Sequence, residues 1–338
     1  MNKVTLLSVD LAKDVFQVAG FTDHLSEVFN RQIKRNNLSA FMAQQSPCEV
    51  VMEACYSSHY WARCFEESGH RSRLLPAQHV APFVRGNKSD HNDAIAIAEA
   101  SKRPNIIDVP VKTIAQQDLQ TLHRLRELCV RRRTSLMNQT RGLLSEYGII
   151  APQGHKAFIE LLGRVAQPEC QAISHSLKYQ FDCVREEYHQ LSERISGIQA
   201  ELAVISSQQP LCQLLSSIPG IGVINATGIY SAIGNGSQFK NAREFAVWLG
   251  LTPRQRSSGN TFSSGGITKR GDRYLRKQLV HGARAVLGRS RNKTDKLSRW
   301  VNALVARRGH NKACVAMAAR MARLCWILLQ KNETYRAQ

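Results

Sequence analysis

The chain has 338 residues, 43% of them hydrophobic, too many for one ordinary domain and enough to build cores for two or three. Its nine cysteines form no CxxC pair and no zinc-spaced cluster with histidine; Cys55, Cys64, Cys129, Cys183, Cys314 and Cys325 fall in apolar or helical contexts and read as reduced core thiols. The net charge of +20 is uneven: residues 1–109 hold 12 basic and 12 acidic side chains, 110–239 hold 12 and 10, and 240–338 hold 22 and 4, a local net of +18 that calls for a polyanion such as nucleic acid.

In chain order, VTLLSVD (4–10) and VFQVAGF (15–21) are β-rich runs on either side of a tight polar turn, and EVFNRQIKR (27–35) reads as a third strand. NLSAFMAQQ reads as a short helix with a polar cap. CEVVME (48–53) is a continuous apolar run, as expected of a strand covered on both faces. SSHYWARCFEESG follows as a helix closed by Gly69, and SRLLP (72–76) is a strand halted by Pro76. An antiparallel meander followed by βα alternation predicts an α/β layer with a mixed sheet over 1–109. The order fits a ribonuclease-H-like (RuvC-like) fold better than a doubly wound nucleotide fold, and neither GxGxxG nor GxxxxGK[ST] occurs.

Residues 110–209 read as a helical linker. A long helix over about 114–147 carries a stripe of Leu119, Leu122, Leu125 and Leu128, decorated by Arg131, Arg132, Arg133 and Arg141, and Pro152 and Gly154 break the pattern. Leu177, Phe181, Val184, Tyr188, Leu191, Ile195, Ile198, Leu202 and Ile205 then step by four and three alternately, a heptad that predicts a coiled coil within the chain or between chains.

Residues 210–338 read as a basic, mainly α-helical domain. In LLSSIPGIGVINATGIYSAIG two helices flank a Pro-Gly-Ile-Gly turn at 219–222, resembling a helix-hairpin-helix in which Gly220 and Gly222 let the backbone approach a phosphate; a plain tight connection is the alternative. The Ser-, Gly- and Arg-rich piece 252–272 reads as a loop, with helices expected at about 273–288 and 313–330. Arg320 and Arg323 interrupt the longest apolar run, 313–329, so no membrane span is expected, nor does the start read as a signal peptide. A soluble, cytoplasmic protein follows, associated with the nucleoid when active.

Four carboxylates carry the chemistry. Asp10 and Glu53 each end a buried strand run, and Asp90 and Asp93 sit three apart at a helix start. Singly they have structural readings: Asp10 as a turn cap, Asp90 as a helix N-cap with Asp93 at its third position. Four acids at the strand and helix edges of one α/β domain favour a site for a hard divalent cation, with Mg²⁺ the natural choice for work on phosphates.

SVDLAKDVF, VVMEACYSSHYWAR, RGNKSDHNDAIAIAEA, VPVKTIAQQDLQTLHRLRE, RGLLSEYGI, SIPGIG and GLTPRQRSSGN, in this order from about residue 4 to 328, resemble transposases of the IS-one-ten insertion-sequence family, in particular its IS-eleven-eleven group. The resemblance implies a RuvC-like domain with an Asp-Glu-Asp-Asp tetrad, here Asp10, Glu53, Asp90 and Asp93. It also implies a C-terminal transposase domain with a serine nucleophile, which falls on Ser258 of RQRSSGN, beside Ser257. A structured noncoding RNA encoded by the element is the implied guide, pairing with donor and target DNA, and the implied assembly is a tetramer, with at least a dimer expected. After Glu53 this chain reads Cys55-Tyr56-Ser57-Ser58, where many members have a small residue or Gly.

The expected activity is therefore RNA-guided DNA strand cleavage and exchange through Ser258, with Mg²⁺ held by the tetrad and Arg254, Arg256, Lys269, Arg270, Arg273 and Arg276 neutralising the nucleic-acid backbone. Two other readings stay open: a RuvC-like metal nuclease of the junction-resolvase type, with water as nucleophile, and a non-enzymatic nucleic-acid-binding protein.

Overall fold

Strand-forming and helix-forming runs alternate through the first third of the chain, and they fold as the periodicities require. The elements are β1 (Leu6–Asp10), β2 (Val15–Phe21), β3 (Glu27–Lys34), α1 (Arg35–Ala43), β4 (Glu49–Glu53), α2 (Ser58–Glu67), β5 (Arg71–Leu75), a one-turn α3 (Ala77–Val80) and α4 (Asp90–Ser101). The structure, a computed structural model, describes residues 3–87, 89–259 and 261–336. It divides into two units, residues 1–114 with 236–241 and residues 115–235 with 242–338.

The first unit is built on a five-stranded mixed sheet of order β3-β2-β1-β4-β5. β1 pairs antiparallel with β2, β2 antiparallel with β3, and β1, β4 and β5 run parallel. Side chains alternate between the two faces. Leu7, Val9, Val50 and Met52 pack with Leu38 and Met42 of α1 and Trp61 and Phe65 of α2. Leu6, Val51 and Leu75 pack with Ala94, Ile97 and Ala98 of α4. Ser8 lies on this second face and donates its hydroxyl to the Ala94 carbonyl at 2.7 Å. The same parity carries on to the strand ends. Asp10 is two residues beyond Ser8, and Glu53 two beyond Val51, so both face α4.

The second unit is helical: α5 (Ile114–Ser145), α6 (His155–Ala166), α7 (His175–Gln208), α8 (Pro210–Ser216), α9 (Val223–Ile233), α10 (Ala242–Trp248), then strands β6 (Pro253–Ser258) and β7 (Thr261–Ile267), then α11 (Arg273–Ser290), α12 (Lys296–Arg308) and α13 (His310–Lys331). The heptad of α7 is filled inside the chain. Phe181 and Tyr188 pack with Met137 and Leu144 of α5 and Phe158, Leu161 and Val165 of α6. Ile198 and Leu202 pack with Leu119 of α5, flanked by Val223 and Ile224 of α9. The Arg133 guanidinium lies over the Tyr188 ring and donates to Ser192 at 3.1 Å. The heptad positions in these clusters therefore pack inside one protomer, the within-chain alternative that the spacing left open. Leu202→Ala is expected to cost about 2–5 kcal/mol in denaturant unfolding, because the fully buried Leu202 leaves a cavity. The particle mass in light scattering should stay that of the parent.

Among the helices, α3, α6, α10 and α12 lack a counterpart in the sequence reading. α6 buries Phe158, Leu161, Leu162 and Val165 just past the break at Pro152 and Gly154. α12 is capped by Asp295, whose side chain accepts from the Ser298 N–H at 3.0 Å and the Ser298 hydroxyl at 2.6 Å. Cys183 is exposed on α7, unlike the other expected core thiols, and all nine cysteines are free. By length and composition α13 does reach the range of a membrane-crossing helix, contrary to expectation. It packs against α8, α10, α11 and α12, and buries Ala313, Met317, Met321, Cys325 and Leu328 as a core helix does.

Candidate functional site

One carboxylate oxygen from each of Asp10, Asp90 and Asp93 lies within 4.8 Å of the other two. β1 delivers Asp10 at the C-terminal edge of the sheet, and the first turn of α4 delivers the other two. Ser89, not Asp90, is the N-cap of α4: its hydroxyl accepts from the Asn92 N–H at 3.3 Å. Asp90 and Asp93 are thereby the first and fourth helical residues, and neither carboxylate is needed as the cap. Glu53 ends the neighbouring strand β4, near enough to Asp93 to feel its charge. Burial raises its pKa above the usual carboxylate value, and the negative charge of Asp93 pushes the same way. The Cys55 thiol, on the turn after β4, is pushed up to about 11 by burial and by the charges of Glu53 and Asp10. Ser57 on that turn adopts a left-handed backbone at φ +64°, a conformation that favours glycine.

Three aspartates thus crowd one sheet edge, with Glu53 at the end of the adjoining strand. Two unit charges 4.8 Å apart repel by about 3 kcal/mol at an effective dielectric near 20, less where solvent screens them. An all-oxygen carboxylate set at this spacing fits a hard divalent cation.

The expected loop at 252–272 is a β-hairpin. β6 and β7 pair antiparallel, with Ser257 opposite Phe262 and Ser258 opposite Thr261. Ser258 is followed by Gly259, at φ +55°; Asn260 lies outside the described residues. A Gly-Asn step between two strands is a two-residue hairpin signal; the polar Ser-Arg composition around it hid the strands. Ser257, Ser258, Ser263 and Ser264 are all exposed. The hairpin base is fixed by close backbone approach. The Thr268 N–H donates to the Thr252 carbonyl at 2.9 Å, and a Cβ on Gly271 would collide with the Trp248 carbonyl.

The expected nucleic-acid contacts divide. Arg254, Arg256, Lys269, Arg270 and Arg273 are exposed. Arg276 is committed to structure: its guanidinium donates to the Leu249 carbonyl at 2.9 Å and the Arg270 carbonyl at 3.1 Å, tying α11 to the hairpin base. Gly220, at φ +89°, is needed for packing, since a Cβ there would lie 2.7 Å from Val286 and 2.9 Å from the Gly282 carbonyl on α11. Gly222 is exposed at the N-cap of α9, with open space around it.

One cluster was not singled out from the sequence. A cleft of about 300 Å³ between α5, α9 and α11 is lined by Gln120, His123, Arg124, Glu127, Arg131 and Tyr274, among others. His123 is buried, with Nδ1 2.9 Å from the Tyr274 hydroxyl and Nε2 3.0 Å from Thr227 Oγ1. Thr227 in turn donates to the Val223 carbonyl. One consistent chain of donors follows: Tyr274 O–H to Nδ1, Nε2–H to Thr227, Thr227 to backbone. It ties the first turn of α11 to α9. The available signal was a histidine on an otherwise leucine-rich helix stripe.

Burial, aided by Arg126, lowers the His123 pKa from 6.5 to about 4. The unfolded chain therefore binds a proton between those values that the folded chain refuses. Stability held above pH 6.5 is lost as the pH falls toward 4, by roughly 3 kcal/mol from this residue alone. Thermal melts from pH 7 to pH 4 should show this slope, and His123→Gln, which keeps a donor and an acceptor without titrating, should flatten it.

Comparison with known proteins places the whole chain. Residues 212–299 match the profile of the transposase IS116/IS110/IS902 family, and residues 7–149 match a DEDD transposase profile of the IS110 type. The chain is 41% identical to a transposase for insertion sequence element IS1111A from Coxiella burnetii, over 99% of this chain and 92% of that one. It is 43% identical to a probable family 20 transposase from Pseudomonas aeruginosa over 98% of both chains. It is also 35% identical to a transposase for insertion sequence element IS1328 from Yersinia enterocolitica over 99% of both. The chain belongs to the IS110-type family of insertion-sequence transposases, enzymes that cut and rejoin DNA.

Proposed function

We propose that this protein is an RNA-guided DNA recombinase. In it Asp10, Glu53, Asp90 and Asp93 hold Mg²⁺, and Ser258 is the nucleophile of strand cleavage and exchange. The observation that carries the reading is the convergence of three aspartates within 4.8 Å at the edge of a mixed sheet, with Glu53 feeling the charge of Asp93, in a chain of this family. The strand order, a meander followed by parallel βα units, supports a ribonuclease-H-like frame for the site. When bound, the cation would polarise a phosphodiester and offset charge developing on it.

The chain's own residues do the rest. The Ser258 hydroxyl sits at the exposed tip of a hairpin, where a phosphate can reach it. Its oxygen gives up its proton and attacks phosphorus, joining the DNA to the protein, while the bond to the sugar oxygen breaks and that oxygen takes up a proton in turn. Rejoining reverses the step with a different strand end. Arg254, Arg256, Lys269, Arg270 and Arg273 supply exposed positive charge around the hairpin, and Gly222 offers the open N-terminus of α9 to a backbone phosphate. An element-encoded structured RNA would select donor and target DNA, and at least two protomers would act together, with a tetramer as the full assembly.

The test is covalent chemistry. Protein loaded with its co-purifying RNA, Mg²⁺ and labelled DNA spanning one element end should give a DNA–protein species that survives boiling and runs heavier on a denaturing gel. Cleaved DNA without any such species would favour the junction-resolvase reading, in which water attacks.

A further inference from the structure

The β6–β7 hairpin is exposed along nearly its whole length, on both faces. A lone two-stranded hairpin is marginal in water and gains from being covered. No acidic residue occurs between Glu244 and Asp272, while Arg254, Arg256, Lys269 and Arg270 lie in that interval, so the matching cover is a polyanion. The register sorts the tip into two faces. Cross-strand partners share a face, and neighbours along a strand alternate. Arg256 and Ser263 therefore share one face with Ser258 and Thr261, and Ser257 and Phe262 lie on the other. One face is cationic and hydroxylic; the other bears a large aromatic ring that is 66% exposed. Nothing in the fold requires a phenyl ring at that tip. Its position one pair from Ser258 sets the ring within about one nucleotide's length of the hydroxyl.

We infer that Phe262 is a base-stacking wedge for DNA: the hairpin turns its Arg256–Ser258 face to the scissile phosphodiester and inserts Phe262 on its other face against the adjoining base, unstacking the duplex at the step to be cut. Apolar side chains are used in this way to open a base step, and aromatic rings hold an unstacked base whatever its identity. The role suits an enzyme whose sequence choice lies outside the protein. The inference rests on Ser258 as nucleophile for its distance to the cut, and on the hairpin register for the rest. Phe262 is a positioning residue, since it touches a neighbouring base and not the reacting atoms.

The experiment uses full-length protein with its co-purifying RNA and duplexes spanning one element end and its flank, with 2-aminopurine placed in turn at each base around the cut. With Ser258→Ala protein, which leaves the strand intact, fluorescence should rise at one position beside the cut. The rise should vanish when Phe262→Ala is added and persist with Phe262→Tyr. In the Ser258 background, Phe262→Ala should slow adduct formation at saturating DNA by about 10- to 100-fold, and Phe262→Tyr should restore it. An unchanged melting temperature should accompany Phe262→Ala, because the ring is exposed. Equal fluorescence and equal adduct rate in Phe262→Ala and parent overturn the wedge, as does a Phe262-dependent signal seen only with the probe in RNA. A Phe262-dependent rise with no adduct from the parent upholds the wedge and removes Ser258 as nucleophile.

Discussion

Ser258→Ala protein is expected to form no boil-resistant adduct with DNA and to support no recombination, while binding RNA and DNA as the parent does. The loss should be on the order of 10⁴-fold or more, as when a covalent nucleophile is deleted elsewhere. Binding should survive because one hydroxyl contributes little to a region of net charge +18. Ser257→Ala is the internal control. It lies next to Ser258 in the same strand but projects from the opposite face of the hairpin, on the side of Phe262. A phosphate seated against Ser258 cannot be reached from there without turning the hairpin over. The register thus converts a choice between adjacent serines into a choice between faces: an adduct lost in Ser257→Ala and retained in Ser258→Ala would place the phosphodiester beside Phe262 instead.

Much of the first unit was legible because its signals were local and redundant. β1 and β4 are largely apolar runs, each ended by a carboxylate, and the period-two alternation that buries Val9 and Met52 on one face sends Asp10 and Glu53 to the other. The structural alternative that made Asp90 the helix N-cap falls one residue off, since Ser and Asp are both good caps and the fold gives the role to Ser89. The heptad of α7 was legible as a helix but not as to its partner: strict spacing states that a stripe is buried and leaves open against what. Here α5, α6 and α9 cover it. The hairpin went unread because strands exposed on both faces carry no hydrophobic alternation. Only the Gly259–Asn260 step marked it. His123 was invisible for the opposite reason, since its partners Thr227 and Tyr274 are over 100 residues away in sequence.

Replacing either half-buried aspartate of the cation site should produce two opposite effects, and their combination identifies the site. Asp93 sits with Asp10 in the three-aspartate cluster and raises the pKa of Glu53. Asp93→Asn removes one like charge, so in the absence of divalent ions the variant should melt at a higher temperature than the parent, by a few degrees for a relief on the order of 1 kcal/mol. A merely structural aspartate, capping or paired, would lower it. Mg²⁺ should reverse the order. A cation bound only by the folded parent stabilises it by RT ln(1 + [Mg²⁺]/Kd), about 2.7 kcal/mol at a hundredfold excess over Kd, and the variant should lose most of that rise. Cleavage should disappear in Asp10→Ala, Glu53→Ala, Asp90→Ala and Asp93→Ala alike, with RNA binding retained, since the basic region is elsewhere in the chain. Acid should act as the substitutions do. The raised Glu53 pKa means that this carboxyl takes up a proton at a higher pH than an ordinary glutamate, and each proton bound there opposes the cation. Mg²⁺ affinity, measured by the melting shift, should therefore weaken as the pH falls, and should do so at higher pH in the parent than in Asp93→Asn, where the neighbouring charge that raises Glu53 is gone. A parent whose melting temperature ignores Mg²⁺, together with a Asp93→Asn variant less stable than the parent in its absence, would make these four carboxylates a structural cluster and leave the transposase without its cation at this edge of the sheet.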